Sequence, residues 1–369
     1  MSKHIVFSVV NDLNYDQRMR KICTSLHQAG FEITLIGREM EHSKPLMSKP
    51  YHQIRWRMWF TRGKLFYLTY NLRLLWHFFW NKYDIQGGID LDTLLAHYLA
   101  AKIKGRPHTY DAHEYFTELP EVVHRPVTKF IWKAIEKWIV PRTQYAYTIN
   151  QTYAELFRKE YGTHFEIVRN AAVFEESKSL KQAEVPYILY QGAVNVGRGV
   201  EEMIQAMPMI PNHHLYICGK GDQFETCQSL VEEMGLQERV RFFGFVEPEA
   251  LRQITLNAKL GFTFFTKDGE SYYYSLANRF FDYFHAGVPQ LCVNFPEYRH
   301  INEQVEIAVL LENLSPKMIA QAANDLLNNQ AKYQRLRQNC LTARKTINWQ
   351  NEEKKLVALY KKIVSPSAD

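Results

Sequence analysis

The sequence predicts an α/β protein with two doubly wound parallel-sheet domains in tandem, facing one cleft. Short apolar strands alternate with helical patterns through each half of the chain, and the alternation restarts after a polar stretch near 175–183. Alternation of this kind gives a parallel sheet covered by helices on both faces. The length of 369 residues suits two domains of this type, each large enough to bury its own core.

The first half begins with a strand, a helix and a second strand. The apolar run at 4–10 predicts the first strand, and Met19, Ile22 and Leu26 have the spacing of one apolar helical stripe. Gly30 suits the end of that helix. Further strands are predicted at 31–36, 84–89, 109–112, 145–149 and 165–168. We therefore predict a first domain over residues 1–175.

The second half repeats the pattern and predicts a second domain over residues 183–345. Its strands are predicted at 187–190, 214–218, 240–242, 260–264, 290–293 and 307–310. Its helices are predicted around 199–207, 222–235, 248–256 and 276–286. Ligands of doubly wound sheets bind outside the carboxyl ends of the strands, so the cleft between the domains is the expected site.

Cysteine usage and hydropathy bear on the cellular compartment of the protein. The five cysteines are scattered and form no CxxC pair, which favours a reducing compartment over a disulfide framework or a zinc site. No stretch reaches the roughly 18 consecutive apolar residues of a spanning helix. The opening apolar run is too short for a signal peptide. We expect a cytoplasmic protein that lies on the inner face of a membrane.

The expectation of a membrane rests on the charge of the first half. Residues 1–175 hold 24 Lys and Arg against 17 Asp and Glu, whereas residues 176–369 hold 21 against 22. Between 42 and 83 there is no acidic residue, and four of the seven tryptophans lie there. Basic residues with tryptophan beside an apolar helix suit an anionic lipid surface. Nucleic acid is the other anionic partner, but no nucleic-acid motif accompanies these residues.

Segment 54–80 is therefore predicted to contact an anionic membrane surface. Within it, Leu65, Leu68, Leu72, Leu75 and Phe79 repeat at three and four residues. We expect this stripe to be mostly buried against the sheet of the first domain. The approach from Trp56 to Trp59 is expected to be exposed. The alternative is an ordinary core helix without a membrane role.

The most informative segment is 275–289. Ser275 suits an N-cap and Gly287 a C-cap, so a helix is predicted between them. Backbone N–H groups at 276–278 would form an anion site at the helix N-terminus. Asp282, two turns further on, is predicted to accept hydrogen bonds from ribose hydroxyls. A capped core helix with one buried acid is an equally open interpretation.

This segment resembles the donor-binding helix of the retaining glycosyltransferase family called "glycosyl transferases group 1", which has the GT-B fold of two Rossmann-like domains. One branch reads Ser-Leu-Pro-Asn-Lys-hydrophobic-Phe-Glu-Tyr and ends in Gly-x-Pro. The sequence keeps Ser275, Leu276, Asn278, Phe281, Tyr283, Gly287 and Pro289, and departs at Ala277, Arg279 and Asp282. Tyr274 stands where the broader family has the first of two glutamates, whose contribution we expect from elsewhere, with Glu270 as a candidate. The resemblance implies donor binding by residues 275–279 and a catalytic role for Asp282.

Three further motifs of the second half resemble the same family. In the strand–glycine turn at 190–199, Gly192 ends the strand and Arg198 takes the place of a basic residue that clamps the diphosphate. Ala193 replaces an arginine that many relatives have. Gly219 and Gly221 resemble the next strand-end turn, a pattern that is weak alone. Phe245 belongs to a turn that resembles the one meeting the nucleobase.

The resemblance also covers the first half and the end of the chain. The run 110–114 resembles the Asp-x-His-Glu element that faces the acceptor. The resemblance implies that His113 orients the acceptor hydroxyl or shares its proton. Acceptor-side roles are implied for Asn11, Asp16, Arg18, Asp111 and Glu114. The stretch 346–369 resembles a terminal helix that crosses back onto the first domain.

Taken with the resemblance, the sequence predicts a retaining, hexosyltransferase-type glycosyltransferase. It would move a sugar from a nucleotide diphosphate sugar to a hydroxyl of a glycan or lipid-linked acceptor in cell-envelope polysaccharide synthesis. No metal and no other cofactor is expected, because Arg198 and the helix dipole can meet the charge of the leaving phosphate.

Three alternatives remain. Asp90-Leu91-Asp92 has the Asp-x-Asp pattern of metal-dependent glycosyltransferases, although either aspartate suits a helix cap. A nucleotide-sugar epimerase of the same fold would need no acceptor. A non-catalytic sugar-nucleotide binder would have no activity.

Overall fold

A computed structural model of the chain describes residues 2–41, 43–176, 185–267 and 269–365. The chain divides into two compact units, Met1–Asn170 with Trp349–Asp369, and Ala171–Asn348. Most of the predicted boundary at 175–183 and the predicted start of the second domain at 183 lie outside the described residues. The same holds for the last four residues of the predicted segment 346–369.

The first unit is built on a seven-stranded parallel sheet. Its strands are β1 (His4–Ser8), β2 (Glu32–Arg38), β3 (His52–Trp56), β4 (Ile85–Ile89), β5 (His108–Ala112), β6 (Tyr145–Thr148) and β7 (Phe165–Ile167). They lie in the order β3-β2-β1-β4-β5-β6-β7. The order reverses between β1 and β4, which is the point where doubly wound sheets bind ligands.

Helices connect these strands. They are α1 (Gln17–Gln28), α2 (Gly63–Trp80), α3 (Asp90–Lys104), α4 (Pro120–Val123), α5 (Pro126–Ile139) and α6 (Gln151–Tyr161). Strand β3 was not predicted, and it pairs in parallel with β2 at the edge of the sheet. Its residues are mostly half-exposed, so they lack the continuous apolar run by which the buried strands are recognised.

The prediction for α2 was wrong about which face is buried. Leu65, Leu68, Leu72 and Phe79 are 53–61% exposed. The buried face instead carries Phe66, Tyr70, Leu74 and Phe78. This helix is apolar all round, so periodicity alone cannot choose between its faces. The buried face is the one that finds polar partners in the unit: the Tyr70 hydroxyl donates to the Val9 carbonyl at 2.7 Å, and the Asn71 amide donates to the Asp92 carbonyl at 2.8 Å.

The approach to α2 also differs from the prediction. Trp59 is exposed, as expected, with 97% of its surface accessible. Trp56 is buried and lies edge-on to Tyr70. The guanidinium of Arg73 covers the Trp56 ring at 4.6 Å from its centroid, which favours the buried position. No helix among the described residues is long and apolar enough to cross a membrane.

The second unit is built on a six-stranded parallel sheet in the order β10-β9-β8-β11-β12-β13. Its strands are β8 (Tyr187–Gln191), β9 (His214–Cys218), β10 (Val240–Gly244), β11 (Leu260–Thr263), β12 (Gln290–Val293) and β13 (Ala308–Leu311). Its helices are α7 (Val200–Ala206), α8 (Phe224–Glu233), α9 (Pro248–Asn257), α10 (Glu270–Tyr273), α11 (Asn278–His285), α12 (Pro296–Gln304), α13 (Pro316–Asn328) and α14 (Gln330–Ala343). The strand order reverses between β8 and β11. The predicted fold class of two doubly wound parallel-sheet units is confirmed.

The last helix, α15 (Trp349–Val364), belongs to the first unit and packs on α1. The Trp349 indole donates to the Ser25 hydroxyl at 2.9 Å, and Ser25 donates to Glu353 at 2.6 Å. The fully buried Tyr360 hydroxyl lies 2.9 Å from Thr109 Oγ1 and 3.3 Å from the Tyr147 hydroxyl. The helix therefore contributes to the core beneath β5 and β6.

We expect Tyr360→Phe to lower the free energy of unfolding of the first unit by about 1–2 kcal/mol, because it leaves buried hydroxyls without their partner. All seven tryptophans lie in this unit, so urea unfolding followed by tryptophan fluorescence measures it selectively. Tyr145→Phe is the matched control, because its hydroxyl has no hydrogen-bond partner among the described residues. Equal effects of the two changes would contradict the role of the Tyr360 hydroxyl.

Candidate functional site

In the second unit, three strand-end turns pack against one another at the carboxyl edge of the sheet. Gly192, Gly219 and Gly244 end or follow β8, β9 and β10. The Gly192 N–H donates to the Cys218 carbonyl at 2.9 Å, and the Gly219 N–H donates to the Gly244 carbonyl at 2.7 Å. Gly219 has φ +151°, and a Cβ there would lie 1.7 Å from the Gly192 carbonyl oxygen. The close approach of these turns therefore requires glycine at 219.

The turn after β9 contains the second predicted glycine of this pattern. A Cβ on Gly221 would lie 2.0 Å from Asn195 Oδ1. That oxygen accepts from the Asp222 N–H at 3.2 Å, and the Asn195 carbonyl accepts from the Arg198 N–H at 3.2 Å. Gly192, Gly219, Gly221 and Arg198 are thus brought together in one layer of turns.

These turns belong to the predicted nucleotide site, and we expect Gly219→Ala to weaken the predicted binding at least about tenfold, because the new methyl group displaces the Gly192 turn. The measurement is calorimetric titration of UDP, GDP and ADP. Gly235→Ala is the control: Gly235 also has a positive φ, +65°, but a Cβ there would meet nothing within 4 Å. If backbone strain at a positive φ were the only effect, Gly219→Ala and Gly235→Ala would weaken binding equally. Equal losses would therefore contradict a role for the contact between Gly219 and the Gly192 turn.

Arg198 lies against two adjoining aromatic rings within this layer, whose centroids are 5.5 Å apart. Its guanidinium carbon is 4.6 Å from the ring centroid of Phe265 and 4.6 Å from that of Tyr272. None of the ion pairs between described residues involves Arg198, and its Nε has no hydrogen-bond partner among them. The neighbouring Gly197 carbonyl accepts from the Thr266 N–H at 2.8 Å, which fixes the turn to the segment after β11. An orientated guanidinium without a carboxylate partner is suited to bind a phosphate.

Arg279 supports the layer of turns from below. It is 6% exposed, and its guanidinium donates to the Phe264 carbonyl at 2.9 Å, the Tyr190 hydroxyl at 3.2 Å and the Gln191 carbonyl at 3.3 Å. A Cβ on Gly192 would lie 2.8 Å from Arg279 Nη1. Both terminal nitrogens of Arg279 thus donate hydrogen bonds to the protein itself. The structure therefore places Arg279 behind the predicted nucleotide-sugar site and not on its surface.

Asp282 lies in the middle of α11 and is half-buried. It accepts a hydrogen bond from Gln191 Nε2 at 2.8 Å, and Gln191 Oε1 accepts from the Thr255 hydroxyl at 2.7 Å. Gln191 is the last residue of β8, directly before Gly192. The carboxylate of Asp282 is therefore held at the carboxyl end of β8, on the same turn as the predicted phosphate-binding residues.

The start of α11 differs from the prediction. The helix begins at Asn278 after Ala277, and Ser275 does not cap it. The Ser275 hydroxyl instead donates to the Tyr272 carbonyl at 2.9 Å, because α10 ends directly before it. The Ala277 N–H donates to the Tyr298 hydroxyl at 3.1 Å, so one of the predicted anion-binding N–H groups has a partner within the protein.

The other predicted donor residues differ in exposure. Leu276 is buried in the core of the second unit, whereas Asn278 is exposed. Phe245, after β10, is 55% exposed. Aromatic rings at strand ends are a common surface for stacking on a base. Tyr274, in the place of the first family glutamate, stacks edge-on against Tyr273.

In the first unit, Arg18, Asp111 and His113 form one cluster at the carboxyl ends of β1 and β5. Arg18, on α1, binds Asp111 through two nitrogens, at 3.1 and 2.7 Å, and donates to the Val168 carbonyl at 3.0 Å. His113 Nε2 lies 2.8 Å from Asp111 Oδ2. Burial opposes the charge of Asp111, but Arg18 and His113 outweigh it and lower the pKa of that carboxyl. Asp111 is therefore a fixed anion between two cations.

Asp90, which was not predicted to belong to this cluster, contacts His113 in two places. Its Oδ1 accepts from the backbone N–H of His113 at 2.8 Å. Its Oδ2 lies 3.4 Å from the ring nitrogen Nδ1 of the same residue. Burial lowers the pKa of His113, but Asp111 and Asp90 outweigh it and raise that pKa to about 9. Burial raises the pKa of Asp90. The signal in the sequence was an aspartate directly after a buried strand at the sheet's reversal point.

Asp90 has an unusual backbone for a residue other than glycine, with φ +49°. Neither Asp90 nor Asp92 caps α3, whose N-cap is Ile89 without a side-chain bond. Asp92 is 7% exposed, and burial raises the pKa of its carboxyl well above its ordinary value. Among the described residues, no group of three or more His, Cys, Asp or Glu side chains is arranged to hold a metal ion.

The remaining acceptor-side residues lie in the loop after β1 and after His113. Asp16 caps α1 by accepting from the Met19 N–H at 2.9 Å, and it accepts from the exposed Asn11 amide at 3.2 Å. This bond fixes the loop that leads into Arg18. Glu114 is exposed beside His113.

Comparison with known proteins gives a family match for the second unit. Residues 173–342 match the model of the family "Glycosyl transferases group 1". An uncharacterized glycosyltransferase of Methanocaldococcus jannaschii is 32% identical over 80 residues, a stretch that covers 21% of this chain and 20% of that protein. The chain thus spans about a fifth of the curated relative that it matches.

Solved structures are similar over nearly the whole chain. Sucrose-phosphate synthase from Thermosynechococcus elongatus has a TM-score of 0.83 and 16% identity, covering 99% of this chain and all of that one. HepE from Anabaena, in complex with UDP and glucose, has a TM-score of 0.76 and 12% identity, covering 98% and 100%. At these identities the likeness shows the fold, which is that of GT-B glycosyltransferases. The family match covers residues 173–342, whereas the likeness to solved structures extends over both units and shows the fold.

Proposed function

We propose that this protein is a retaining, metal-independent glycosyltransferase of the hexosyltransferase type. It transfers a sugar from a nucleoside diphosphate sugar to a hydroxyl of a glycan or lipid-linked acceptor, in the synthesis of a cell-envelope polysaccharide. The observation that carries the proposal is the guanidinium of Arg198, which lies on the rings of Phe265 and Tyr272 without a carboxylate partner among the described residues, at the carboxyl edge of a unit whose residues 173–342 match a glycosyltransferase family. The complex of the structurally similar HepE with UDP and glucose adds support for a uridine nucleotide.

The second unit holds the donor in this proposal. The guanidinium of Arg198 contacts the diphosphate and stabilises the charge that develops on it as the bond to the sugar breaks. Gly192, Gly219 and Gly221 let the phosphates approach the backbone of the turns closely. Asp282 accepts from the ribose hydroxyls, and Phe245 stacks on the base.

In this proposal the first unit binds the acceptor and positions its hydroxyl. At neutral pH His113 is an imidazolium, since its pKa is about 9, so it does not act as a general base. Both of its ring nitrogens face carboxylates, Asp111 and Asp90. Asp90 is the more exposed of the two, with 20% of its side chain accessible. We therefore assign acceptance of the acceptor's hydroxyl proton or hydrogen bond to Asp90, and positioning of Asp90 to His113.

The proposal includes contact with an anionic membrane surface through segment 54–80. Its support is the exposed face of α2, where Leu65, Leu68, Leu72 and Trp76 are 53–67% exposed on a segment without acidic residues. Exposed apolar patches on otherwise polar proteins mark interaction sites. Co-sedimentation with vesicles of anionic lipid at low and high salt tests it. Binding that is absent at low salt, or equal for neutral and anionic vesicles, would contradict this contact.

The activity is tested first by a thermal-shift screen of UDP, GDP, ADP and their common sugar conjugates, with and without EDTA. A ligand that binds only the folded state raises its stability by RT ln(1 + [L]/Kd). We expect one nucleotide to raise the melting temperature and EDTA to have no effect. A shift abolished by EDTA would contradict metal independence and favour Asp90 and Asp92 as ligands. No shift with any nucleotide would overturn the proposed function.

The conjugate that gives the largest shift is then incubated without an acceptor, and the sugar is analysed. A transferase leaves the sugar unchanged or hydrolyses it slowly. Conversion to the epimeric nucleotide sugar would replace the proposal by an epimerase. Donor binding without turnover in any acceptor mixture would indicate a non-catalytic binder.

A further inference from the structure

The first unit contains a cavity of about 690 Å³ between α2, α3 and α5. This volume lies within the range of ligand sites in proteins, about 300–1,000 Å³. Its apolar walls come from Tyr67, Leu68, Leu95, Val127, Ile131, Trp132 and Ile135. The Trp132 ring packs edge-on against Tyr67 at 5.3 Å between centroids, which fixes the wall between α2 and α5.

The mouth of the cavity is open and apolar. Leu68, Val127 and Ile131 line it, and they are 56%, 62% and 43% exposed. Side chains of this type normally lie inside a folded protein, and an exposed cluster of them marks a binding surface. These residues are also continuous with the exposed face of α2, which carries Leu65 and Leu72.

The charges at the cavity are of one sign. Among the described residues that line it, Lys64 and Arg125 are cationic and none is acidic. Neither cation takes part in an ion pair between described residues, so both are available to a ligand. An apolar interior with cations at its lining matches an amphiphile that has a hydrocarbon chain and an anionic head group.

The cavity is also linked to the acceptor-side cluster. Asn71, which lines it, donates to the Asp92 carbonyl at 2.8 Å. Asp92 follows Asp90 by two residues in the first turn of α3, and Asp90 binds His113. The cavity wall at Asn71 is therefore joined to the first turn of α3, which begins with Asp90.

We propose that this cavity binds the hydrocarbon chain of a lipid-linked acceptor, with Lys64 and Arg125 on the phosphate that joins lipid and glycan. The identity of the bound lipid as the acceptor rests on the proposed function. The binding of the chain does not, since it depends on the first unit alone. A second copy or an apolar helix of another protein would not need two cations without acidic residues on the lining.

Dodecyl phosphate, titrated below its micelle concentration, tests chain binding by calorimetry. We expect one molecule per chain, bound at least tenfold more tightly than dodecanol. Ile131→Trp fills the cavity and should weaken binding at least tenfold. Phe130→Trp is the matched control, because Phe130 is the adjacent residue, is 74% exposed and does not line the cavity. Val127→Trp is the second filling variant, used if Ile131→Trp does not fold by circular dichroism.

Two further variants separate the cavity from the membrane surface. Lys64→Gln with Arg125→Gln should remove the preference for dodecyl phosphate over dodecanol. Trp76→Ser with Trp80→Ser should weaken binding to anionic vesicles but leave dodecyl phosphate binding unchanged, since neither tryptophan lines the cavity. Failure of the wild type to bind dodecyl phosphate, or equal losses in Ile131→Trp and Phe130→Trp, overturns the proposal.

The nucleotide screen distinguishes this result from failure of the proposed function. Binding of dodecyl phosphate, with no change in melting temperature on adding any nucleotide, would support the hydrocarbon-chain site and contradict the proposed transferase activity. Self-association that Ile131→Trp abolishes, in a protein that does not bind dodecyl phosphate, would assign the cavity to a second copy of the chain and overturn the lipid site.

Discussion

Arg198→Ala is expected to lower the turnover of the proposed transfer about 10²–10³-fold, a loss of roughly 3–4 kcal/mol of transition-state stabilisation. The guanidinium lies against the rings of Phe265 and Tyr272, 4.6 Å from each centroid, and its Nε has no partner among the described residues. A cation that is already orientated stabilises a developing charge without reorganisation. The measurement is steady-state turnover of the sugar nucleotide identified by thermal shift, together with calorimetric binding of its nucleotide.

Two further variants show whether the loss in Arg198→Ala comes from the planar guanidinium or from the loss of a positive charge. Arg198→Lys keeps the charge but loses the planar group that packs on the rings, so we expect turnover between wild type and Arg198→Ala. Arg241→Ala, at an exposed arginine of β10 in the same unit, controls for the loss of one positive charge and should leave turnover unchanged. Unaltered turnover in Arg198→Ala would remove this residue from the mechanism.

The stability of the first unit is expected to fall by about 3 kcal/mol between pH 6.5 and 9.5 through His113 alone. Burial opposes the charge of this histidine, but Asp111 and Asp90 raise its pKa from 6.5 to about 9. Because the folded-state pKa is the higher one, the stabilisation is fully present below pH 6.5 and is lost as the pH rises through about 9. Urea unfolding followed by tryptophan fluorescence measures it, since all the tryptophans lie in this unit.

The comparison is between wild type and His113→Gln over that pH range. We expect the variant to be less stable at pH 6.5 and to lose little further stability as the pH rises. His27→Gln, at an exposed histidine of α1, should follow the wild-type profile. If wild type and His113→Gln lose the same free energy of unfolding from pH 6.5 to 9.5, the interaction of the imidazolium with Asp111 and Asp90 contributes nothing to stability.

The pH profile also bears on catalysis. A neutral His113 would be a candidate base, whereas an imidazolium held by two carboxylates is a positioning group. The sequence pattern around 110–114 could not decide between them, because the decisive partner, Asp90, lies 23 residues away at the end of another strand. Parallel strands bring such residues to one edge of the sheet, and only the order of the strands determines which ones meet.

The sequence by itself determined the alternation of strands and helices and the positions of the glycine turns. In the second unit the predicted strands at 187–190, 214–218, 240–242, 260–264 and 290–293 lie within a residue or two of the observed ones. Apolar runs of this length between helices leave little alternative to buried parallel strands. Gly219 likewise stands at a position where the backbone conformation and the Gly192 carbonyl exclude other residues.

The tertiary structure alone decided which face of α2 is buried, where α11 begins and what Arg279 contacts. Helix α2 is apolar on both faces, so its orientation follows from contacts such as that of the Tyr70 hydroxyl with the Val9 carbonyl and not from periodicity. Arg279 lies under the Gly192 turn because three acceptors from β8 and the end of β11 surround it there. Local sequence determines local conformation, whereas contacts between distant strands depend on packing, and packing decided the parts of the candidate site that local patterns left open.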